Sequence, residues 1–547
     1  MNCVIGAGDS GKTTVLDALD FCLGARRSVS FSDYDFHNAD TTQPIVITVA
    51  LGALEPSLLN VDSYGDYFCG YNPTTKQFEQ EPRSGLETVL VLQMKVEKDL
   101  EPLWRLRSKR AEEKGFERNL RWEDRQAISP VRLGEHTNWH LAWRRGALFE
   151  RLTDEKLGLN DGLSDAARQA RSNFGQLANS ELIKTLDTVK RSAESLGVPT
   201  GGQVQALLDA GSVKFGTGAI SLHNSNNVPL SSLGTGSKRL LVAGLAKEVT
   251  KSSSMALVDE LETGLEPHRI RNLLNALGAK SDDLRQQVFA TTHSPVVLRE
   301  LTHSQLTILR QDQSSGKHLP LSPSETAQGV LRAHSEVFLG NRIIVCEGIS
   351  ELGFIRGRDQ YLCHYGATSF EALGTVVTNA GGASKVLSPA EEFQRLGYQV
   401  AIFMDSDKPL ASEDETRFKG NGGQVFRWPS DWALEDAIFL SSPGKVIVDL
   451  LDYAMSLENG PKVDDQIRSA SSGSFGFSDA RQWASTNEIQ PSTAGVLGLA
   501  ARSGGWFKQV APYEHVVRNI LSPNWMSLNA NLTYTANALM TWASDAR

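Results

Sequence analysis

The sequence lacks any long run of apolar residues, and no stretch approaches the roughly 20 residues that a helix needs to span a bilayer. Its first residues do not show the basic and then apolar pattern of a secretory signal peptide. Only 5 of the 547 residues are cysteine, and none of them forms a Cys-x-x-Cys pair or a zinc-type spacing. These absences predict a cytoplasmic protein with reduced thiols and no membrane segment.

The composition is that of a globular protein. Apolar residues make up 40% and charged residues 22% of the chain, and 547 residues are too many for one hydrophobic core. We therefore expect roughly two or three domains. The net charge of −9 argues against a protein that coats nucleic acid without selection. It leaves room for a local basic groove and for acidic metal ligands.

The clearest motif is a glycine-rich segment close to the first residue. Residues 6–13 read GAGDSGKT and match G-x-x-x-x-G-K-[ST] at every required position, after a strand and before a helix. In this motif backbone N–H groups surround phosphate oxygens, the lysine reaches the terminal phosphates and the threonine holds Mg²⁺. The sequence thus predicts an ATP site formed by Gly6, Gly8, Ser10, Gly11, Lys12, Thr13 and Thr14.

Three later segments extend the predicted ATP site. An apolar strand ends in Asp259, which can support Mg²⁺, and Glu260, which can polarise an attacking water. Another strand delivers His293, which we interpret as a sensor of the γ-phosphate rather than a structural histidine. A glycine-rich turn that opens a helix is again suited to anions. Its predicted nucleotide-binding residues are Gly234, Gly236 and Ser237.

These elements, in this order, resemble the ABC ATPase superfamily and specifically its SMC-like branch. By that resemblance residues 234–237 form the signature loop, residues 262–267 the D-loop, and His293 is the switch histidine. In this family the signature loop of one protomer closes on the ATP of another, which implies at least a homodimer. Gln93 is the candidate for the Q-loop glutamine. The family places two strands before the P-loop strand, whereas five residues precede Gly6, so we expect either a start further upstream or an incomplete ATP lobe.

Residues from about 100 to 208 read as a charged helical segment between the two halves of the ATP site. SMC-like proteins carry a helical arm at this place. Basic residues from Arg105 to Arg125 interleave with Trp104 and Trp122, but neighbouring acidic residues balance much of their charge. The segment is interpreted as a solvated or dimerising arm, with direct DNA contact as the alternative.

A second α/β segment begins at Arg342 and carries acidic residues at its strand ends. One apolar strand ends in Glu347, with Glu351 a helical turn later, and a later strand ends in Asp405 and Asp407. In a parallel sheet, neighbouring strands deliver their carboxyl ends to one edge, so these side chains can converge. Clustered carboxylates suit Mg²⁺ or Mn²⁺. A doubly wound domain with incidental acids is the alternative.

This pattern resembles the Toprim fold of topoisomerases, primases and certain nucleases. In that family Glu347 acts near the scissile phosphate and Asp405 and Asp407 bind metal, while Glu351 and Glu435 are candidates for a second metal. An SMC-like ATPase followed directly by Toprim is similar to the OLD (overcoming lysogenization defect) family of nucleases, over roughly residues 1–440. The resemblance implies DNA cleavage in defence against phage. For some relatives it also implies a helicase-like or reverse-transcriptase partner.

The predicted fold is therefore α/β. We expect an ABC-type P-loop ATPase domain over residues 1–330, with a helical insertion at about 100–208. A Toprim domain, a Rossmann-like parallel sheet, should follow over 336–440, and a helical C-terminal region over 441–547.

The predicted function is a metal-dependent DNA endonuclease or nickase controlled by ATP. The predicted catalytic residues are Glu347, Asp405 and Asp407 for DNA and Glu260 for ATP. The predicted metal ligands are Glu347, Glu351, Asp405, Asp407 and Glu435, with Thr13 and Asp259 for the nucleotide's Mg²⁺. Two alternatives remain: an ATP-dependent DNA sensor or clamp in which Toprim is a docking module, and an ABC-like ATPase with an unrelated partner.

Overall fold

A computed structural model gives the fold of the chain. It describes residues 1–545 except 27, 135–140, 142–147, 149–158, 196–203, 207–220, 250–254, 282–285 and 312–316. The chain divides into two compact units. The first unit comprises Met1–Asn2 and Thr13–Thr292, and the second comprises Cys3–Lys12 and His293–Arg547. Within the described residues, no helix combines the length and the apolar character needed to cross a membrane.

The secondary structure is numbered here in chain order. The strands are β1 (Asn2–Ile5), β2 (Ile45–Leu51), β3 (Phe68–Asn72), β4 (Gln77–Glu79), β5 (Glu87–Val96), β6 (Pro102–Arg107), β7 (Val131–Leu133), β8 (Met255–Val258), β9 (Gln287–Thr291), β10 (Leu306–Gln311), β11 (His318–Leu321), β12 (Arg342–Cys346), β13 (Thr375–Asn379), β14 (Gln399–Met404) and β15 (Gln424–Arg427). The α-helices of the first unit are α1 (Lys12–Leu23, whose first residue falls in the second unit), α2 (Val61–Tyr64), α3 (Lys109–Glu113), α4 (Trp122–Ile128), α5 (Leu159–Glu181), α6 (Ile183–Ser195), α7 (Thr235–Val249) and α8 (Pro267–Ala276).

The α-helices of the second unit continue this numbering. They are α9 (Pro295–Glu300), α10 (Ala327–Ala333), α11 (Ile349–His364), α12 (Leu387–Arg395), α13 (Ser412–Gly420), α14 (Leu434–Ser441), α15 (Gly444–Ser456), α16 (Val463–Ala470), α17 (Phe477–Ser485), α18 (Pro491–Gly504), α19 (Val510–His515) and α20 (Ala530–Ser544). Short 3-10 turns connect several of these helices, and a π-helical segment, Val516–Leu521, follows α19. Beyond residue 433, the elements that the structure describes are all helical.

The first unit contains an antiparallel sheet and a group of parallel strands. The antiparallel sheet has the order β2-β5-β3-β4, and β6 also pairs with β5. On β5, Leu90, Leu92 and Met94 alternate with more exposed residues, so one face of the sheet packs into the core of this unit. Among the parallel strands, β8 lies between β7 and β9.

Strand β6 lies inside the segment that we predicted to be helical from about residue 100. Its buried residues, Trp104 and Leu106, alternate with the less buried Arg105 and Arg107, which is the period of a strand. The density of charges in this region led us to assign helix, although the local period is two. The helical prediction is therefore wrong for β6 and also for β7, while α5 and α6 lie within the same predicted segment.

The second unit contains a parallel sheet with the order β13-β12-β14-β15. Every residue of β12 is buried, because β13 and β14 flank this strand in the sheet. Strand β10 of this unit pairs in parallel with β1 and antiparallel with β11. Strand β11 contains Pro320, which is tolerated there because β11 stands at a sheet edge.

The parallel sheet of the second unit shares one hydrophobic core with the C-terminal helices. Phe403 of β14 and Phe354 of α11 belong to the same buried cluster as Phe439 of α14 and Leu497 of α18. The core thus continues across residue 440, where we placed a domain boundary.

Two glycines on α11 allow this helix to approach α19 closely. A Cβ atom at Gly353 would lie 2.6 Å from the Cβ of Tyr513 and 2.8 Å from the carbonyl oxygen of Val510. A Cβ atom at Gly357, one turn later, would lie 2.7 Å from the carbonyl oxygen of Glu514. No methyl group fits at such distances, so the glycines hold Tyr513 against α11.

Replacing Gly353 with alanine should destabilise the second unit. Because the added methyl group meets both backbone and the base of a buried side chain, we expect a loss of roughly 1–3 kcal/mol in the free energy of unfolding. The matched control is Gly329→Ala in α10, where an added Cβ meets no atom within 4 Å and should stabilise the helix by roughly 0.5–1 kcal/mol. Urea unfolding compares the variants, and equal stability of both would contradict the packing argument.

Candidate functional site

The glycine-rich loop between β1 and α1 is organised around Lys12. The ammonium group of Lys12 donates hydrogen bonds to the carbonyl oxygens of Gly6 (3.2 Å) and Ala7 (2.7 Å) and to the hydroxyl of Ser10 (3.4 Å). Gly11 has a φ of +81°, a conformation that favours glycine. A loop with a buried cation at its centre, leading into a helix, is suited to phosphate oxygens. Gly8, Thr13 and Thr14 are exposed at this loop.

In the first unit, Asp259 directly follows β8 and lies next to Thr13. The hydroxyl of Thr13 donates to Oδ1 of Asp259 at 3.3 Å, and the hydroxyl of Thr291 donates to the same oxygen at 2.6 Å. Nη2 of Arg132 lies 3.5 Å from the other oxygen, Oδ2. A hydroxyl beside a carboxylate is the donor set that nucleotide-bound Mg²⁺ requires, so the residues fit this ion.

Glu260, the predicted catalytic base for ATP, has an uncommon backbone. Its φ is +44°, and its N–H donates to the Thr291 hydroxyl at 2.8 Å. Its carboxylate accepts a hydrogen bond from the Thr263 hydroxyl at 3.0 Å. The buried guanidinium of Arg239, on α7, donates to the carbonyl oxygens of Asp259 and Glu260. Arg239 thereby connects the acidic pair, Asp259 and Glu260, to α7, the helix that begins within the predicted signature loop.

The predicted signature loop and D-loop touch through two glycines. A Cβ atom at Gly236 would collide with the carbonyl oxygen of Gly264 and would lie 2.9 Å from Leu265. Gly264 itself has a φ of +73°. The hydroxyl of Ser237 accepts a hydrogen bond from Arg269 at 3.2 Å, whereas Gly234 is exposed.

Replacing Gly236 with alanine should reduce ATP hydrolysis by about a hundredfold, because a shift of catalytic groups by about 1 Å costs that much. The added methyl group would displace the D-loop and, through Arg239, the acidic pair. The control is Gly244→Ala, at an exposed position further along α7, where a Cβ also meets nothing within 4 Å. Steady-state ATPase assays with circular dichroism as a folding check compare the two, and equal rates would contradict this coupling.

Two further residues were predicted for the ATP site, and three residues that contact its acidic pair were not. His293 is exposed and follows β9 by two residues. Gln93, the Q-loop candidate, donates to the Thr48 hydroxyl at 3.1 Å across two strands of the antiparallel sheet. Thr291, Arg132 and Arg239 were missed, because isolated hydroxyl and guanidinium groups that meet only in the fold form no sequence motif.

The second group of predicted residues gathers at the carboxyl edge of the parallel sheet. Glu347 follows β12 and Asp405 follows the neighbouring strand β14. The N–H of Asp405 donates to Oε2 of Glu347 at 3.2 Å. Glu351, in the first turn of α11, accepts from the N–H of Gly348 at 2.8 Å. The sheet therefore brings these predicted carboxylates together.

Burial and mutual repulsion disfavour the ionised form of the side chains in this carboxylate cluster, which comprises Glu347, Glu351, Asp405, Asp407 and Glu435. Burial raises the pKa of Asp405 to about 9, and the negative charges of Glu351, Glu435 and Glu347 add to the rise. Burial likewise raises the pKa of Glu351 to about 7, with Glu347 and Glu435 adding to it. Burial also raises the pKa of Glu347, and the charge of Asp407 contributes. A cation would offset this repulsion.

The cluster has the chemistry of a divalent-cation site without a preformed ligand set. In the described part of the chain, no group of three or more His, Cys, Asp or Glu side chains is placed to hold a metal ion as it stands. The donors are nevertheless all oxygen atoms, as Mg²⁺ and Mn²⁺ prefer. Oδ1 of Asp405 is buried and has no hydrogen-bond partner among the described residues. This orphaned oxygen fits a cation.

Two residues of the C-terminal region complete the cluster and were missed from the sequence. The hydroxyl of Tyr513 donates to Oε1 of Glu435 at 2.6 Å. Nη1 of Arg502 lies 3.7 Å from Oδ2 of Asp407 and 3.3 Å from Oδ2 of Asp436. The tail carried no motif that could have revealed either residue.

Comparison with known proteins gives a family match and remote likenesses to solved structures. Residues 1–299 match the family described as "AAA domain, putative AbiEii toxin, Type IV TA system". No curated protein matches the chain. The SMC head domain from Thermotoga maritima aligns with 12% identity over 58% of this chain and 89% of that chain, with a TM-score of 0.24. Stu0660 of Streptococcus thermophilus aligns with 9% identity over 76% of this chain and 86% of that chain, with a TM-score of 0.28.

The family match covers more than half of the chain and includes both the glycine-rich loop at Lys12 and the acidic pair at Asp259. The prediction of an α/β domain of P-loop ATPase type is thereby confirmed. The chain belongs to this AAA-domain family.

Proposed function

We propose that this protein is a metal-dependent DNA endonuclease or nickase of Toprim type, controlled by ATP binding and hydrolysis in its AAA-type domain. Glu347, Asp405 and Asp407 hold Mg²⁺ or Mn²⁺, and Glu351 and Glu435 are candidates for a second ion. Such ions activate water and stabilise the phosphoryl oxygens during phosphodiester hydrolysis.

The environment of Asp405 carries the proposal. A buried carboxylate normally receives hydrogen bonds or lies beside a cation. Among the described residues Oδ1 of Asp405 has no hydrogen-bond partner, and the charges that act on this carboxyl are those of other acids, Glu351, Glu435, Glu347 and Asp407. A site that concentrates negative charge in this way is costly for the fold and is favoured where a cation is bound.

The acidic cluster must also tolerate the phosphates of DNA. Arg502, half-buried beside Asp407 and Asp436, offsets part of the repulsion between this cluster and the DNA backbone. A bound divalent cation offsets more of it. The net charge of −9 is compatible with such a site, since the interaction is local.

In the ATPase domain, Lys12, Thr13 and Asp259 bind the nucleotide and its Mg²⁺, Glu260 polarises the attacking water, and His293 senses the γ-phosphate. By the resemblance to SMC-like ATPases, the signature loop of one copy closes on the ATP of another, and the active form is at least a homodimer; the exposure of Gly234 is compatible with such a contact. The resemblance to OLD nucleases favours a cytoplasmic role in defence against phage, with a helicase-like or reverse-transcriptase partner in some relatives. The family description names a toxin, and DNA cleavage would supply a toxic activity.

One observation favours the competing function, an ATP-dependent DNA sensor in which the parallel-sheet region is a docking module. No set of three metal-ligating side chains is preformed among the described residues. A docking module does not need one.

Titration of the protein with Mn²⁺ by calorimetry separates the two functions. The nuclease proposal predicts saturable binding by the wild type, reduced at least about tenfold in Asp405→Ala. Asp465→Ala, which removes an exposed aspartate on α16, is the control and should bind like the wild type. If the wild type shows no saturable binding, even with DNA present, the docking function is the better account.

A further inference from the structure

Tyr513 contacts the carboxylate cluster from the C-terminal region of the chain. Its side chain is completely buried, and its hydroxyl lies 2.6 Å from Oε1 of Glu435. A carboxylate can only accept, so the phenol donates this hydrogen bond. Hydrogen bonds of this length to an ionised oxygen are among the stronger ones in proteins.

The position of Tyr513 is fixed from two sides. The close approach of α11 at Gly353 sets the Cβ atom of Tyr513 against the helix that also carries Glu351. The ring of Phe507 meets the ring of Tyr513 edge-on, with 5.9 Å between the centroids. Its hydroxyl therefore reaches Glu435 from a single, well-defined direction.

We infer that Tyr513 is a positioning residue of the candidate nuclease site, which orients the Glu435 carboxylate for cation binding. This inference rests on the proposed function and extends it. In this role Tyr513 acts through its hydrogen bond to Glu435 and not directly on DNA. The C-terminal helices then contribute a residue to the site in addition to packing against the sheet.

Tyr513→Phe keeps the ring and removes only the hydroxyl. The Glu435 carboxylate then loses the donor that holds its orientation. Because partners of metal ligands typically contribute 10–100-fold to metal affinity or activity, we expect Mn²⁺ affinity to fall about tenfold. The kcat for DNA cleavage should fall by a similar factor, whereas the KM for DNA should not change.

Tyr398→Phe is the matched control. Tyr398 is also buried, and its hydroxyl donates a hydrogen bond of 2.7 Å to the carbonyl oxygen of Phe338, away from the acidic cluster. Tyr398→Phe also removes a buried hydroxyl, which hydrogen-bonds with Phe338 and Arg310, so both variants should show a decrease in melting temperature. A purely structural role of Tyr513 would produce nothing beyond that shared decrease.

A double-substitution cycle tests the route through Glu435. In full-length protein, Tyr513→Phe should lower Mn²⁺ affinity on its own but add nothing to Glu435→Gln. Additive losses, or Mn²⁺ affinity and kcat equal to those of Tyr398→Phe, would overturn the inference while leaving the nuclease function intact. A wild type that neither binds Mn²⁺ nor cleaves DNA would overturn the proposed function and this inference with it.

Discussion

Replacing Asp405 with asparagine is expected to abolish DNA cleavage while making the metal-free protein more stable. Cleavage should fall by at least about a hundredfold, because a neutral amide is a poor ligand for the cation that activates water. Stability should rise because the amide is neutral at every pH, whereas burial and the charges of Glu351, Glu435 and Glu347 force the Asp405 carboxyl to take up a proton on folding. Opposite effects on function and stability at one residue are typical of a site strained for its activity.

The difference in stability between the metal-free wild type and Asp405→Asn should depend on pH. The folded protein holds the Asp405 proton up to a pKa of about 9, whereas the unfolded chain releases it near the ordinary value of 3.8. Between these values the folded state binds more protons, so the metal-free wild type loses stability as pH rises. Asp405→Asn should not show this loss, and at pH 8 we expect it to be roughly 1–3 kcal/mol more stable.

Urea unfolding in a chelating buffer, at several pH values, measures this difference. Asp465→Asn is the control, because that aspartate is exposed on α16. It should leave cleavage unchanged and, because Asp465 lies in the first turn of α16, should lower stability by at most about 1 kcal/mol. An Asp405→Asn variant that is less stable than the wild type across the range from pH 5 to about 9 would show that Asp405 is an ordinary structural carboxylate.

Replacing Lys12 with alanine is expected to remove nucleotide control. The Lys12 ammonium group is the buried cation of the glycine-rich loop, and its loss leaves the terminal phosphates without their principal positive charge. ATP hydrolysis should fall by at least about a hundredfold, as for the removal of a group that stabilises transition-state charge. Any effect of ATP on DNA cleavage, whether activating or restraining, should disappear with it.

Mn²⁺ affinity distinguishes a specific loss of nucleotide control in Lys12→Ala from misfolding of the protein. Lys12→Ala should bind Mn²⁺ at the carboxylate cluster as the wild type does, since that cluster is built from other residues. Lys445→Ala, at an exposed position on α15, should retain both ATP hydrolysis and nucleotide control. A Lys12→Ala variant whose cleavage still responds to ATP would show that the nucleotide acts elsewhere.

The sequence predicts those site residues that share a local pattern. Lys12 and Thr13 stand in a contiguous motif, and Asp259 and Asp405 end apolar strands, so each could be recognised from its neighbours. The convergence of Glu347 and Asp405 followed from one rule, that parallel strands deliver their carboxyl ends to one edge. Backbone hydrogen bonding between β12 and β14 produces that arrangement.

Residues that join a site from a distant part of the chain could not be predicted. Tyr513 is 78 residues away from Glu435, and Arg502 reaches Asp407 from α18. Both are placed by the hydrophobic core that the C-terminal helices share with the parallel sheet. Strand β6 was missed for a different reason: its charges dominated our interpretation, although its buried residues follow the period of a strand.

Plasmid cleavage in Mg²⁺ or Mn²⁺ by the wild type and by Asp405→Asn, with and without ATP, shows whether the carboxylate cluster is a nuclease site. We expect the wild type to nick or linearise the plasmid and chelation to stop the reaction. Asp405→Asn should not cleave, although it should be folded and hydrolyse ATP. Cleavage by Asp405→Asn at the wild-type rate, or no cleavage by the wild type under any combination of metal and nucleotide, would contradict a nuclease site at this cluster.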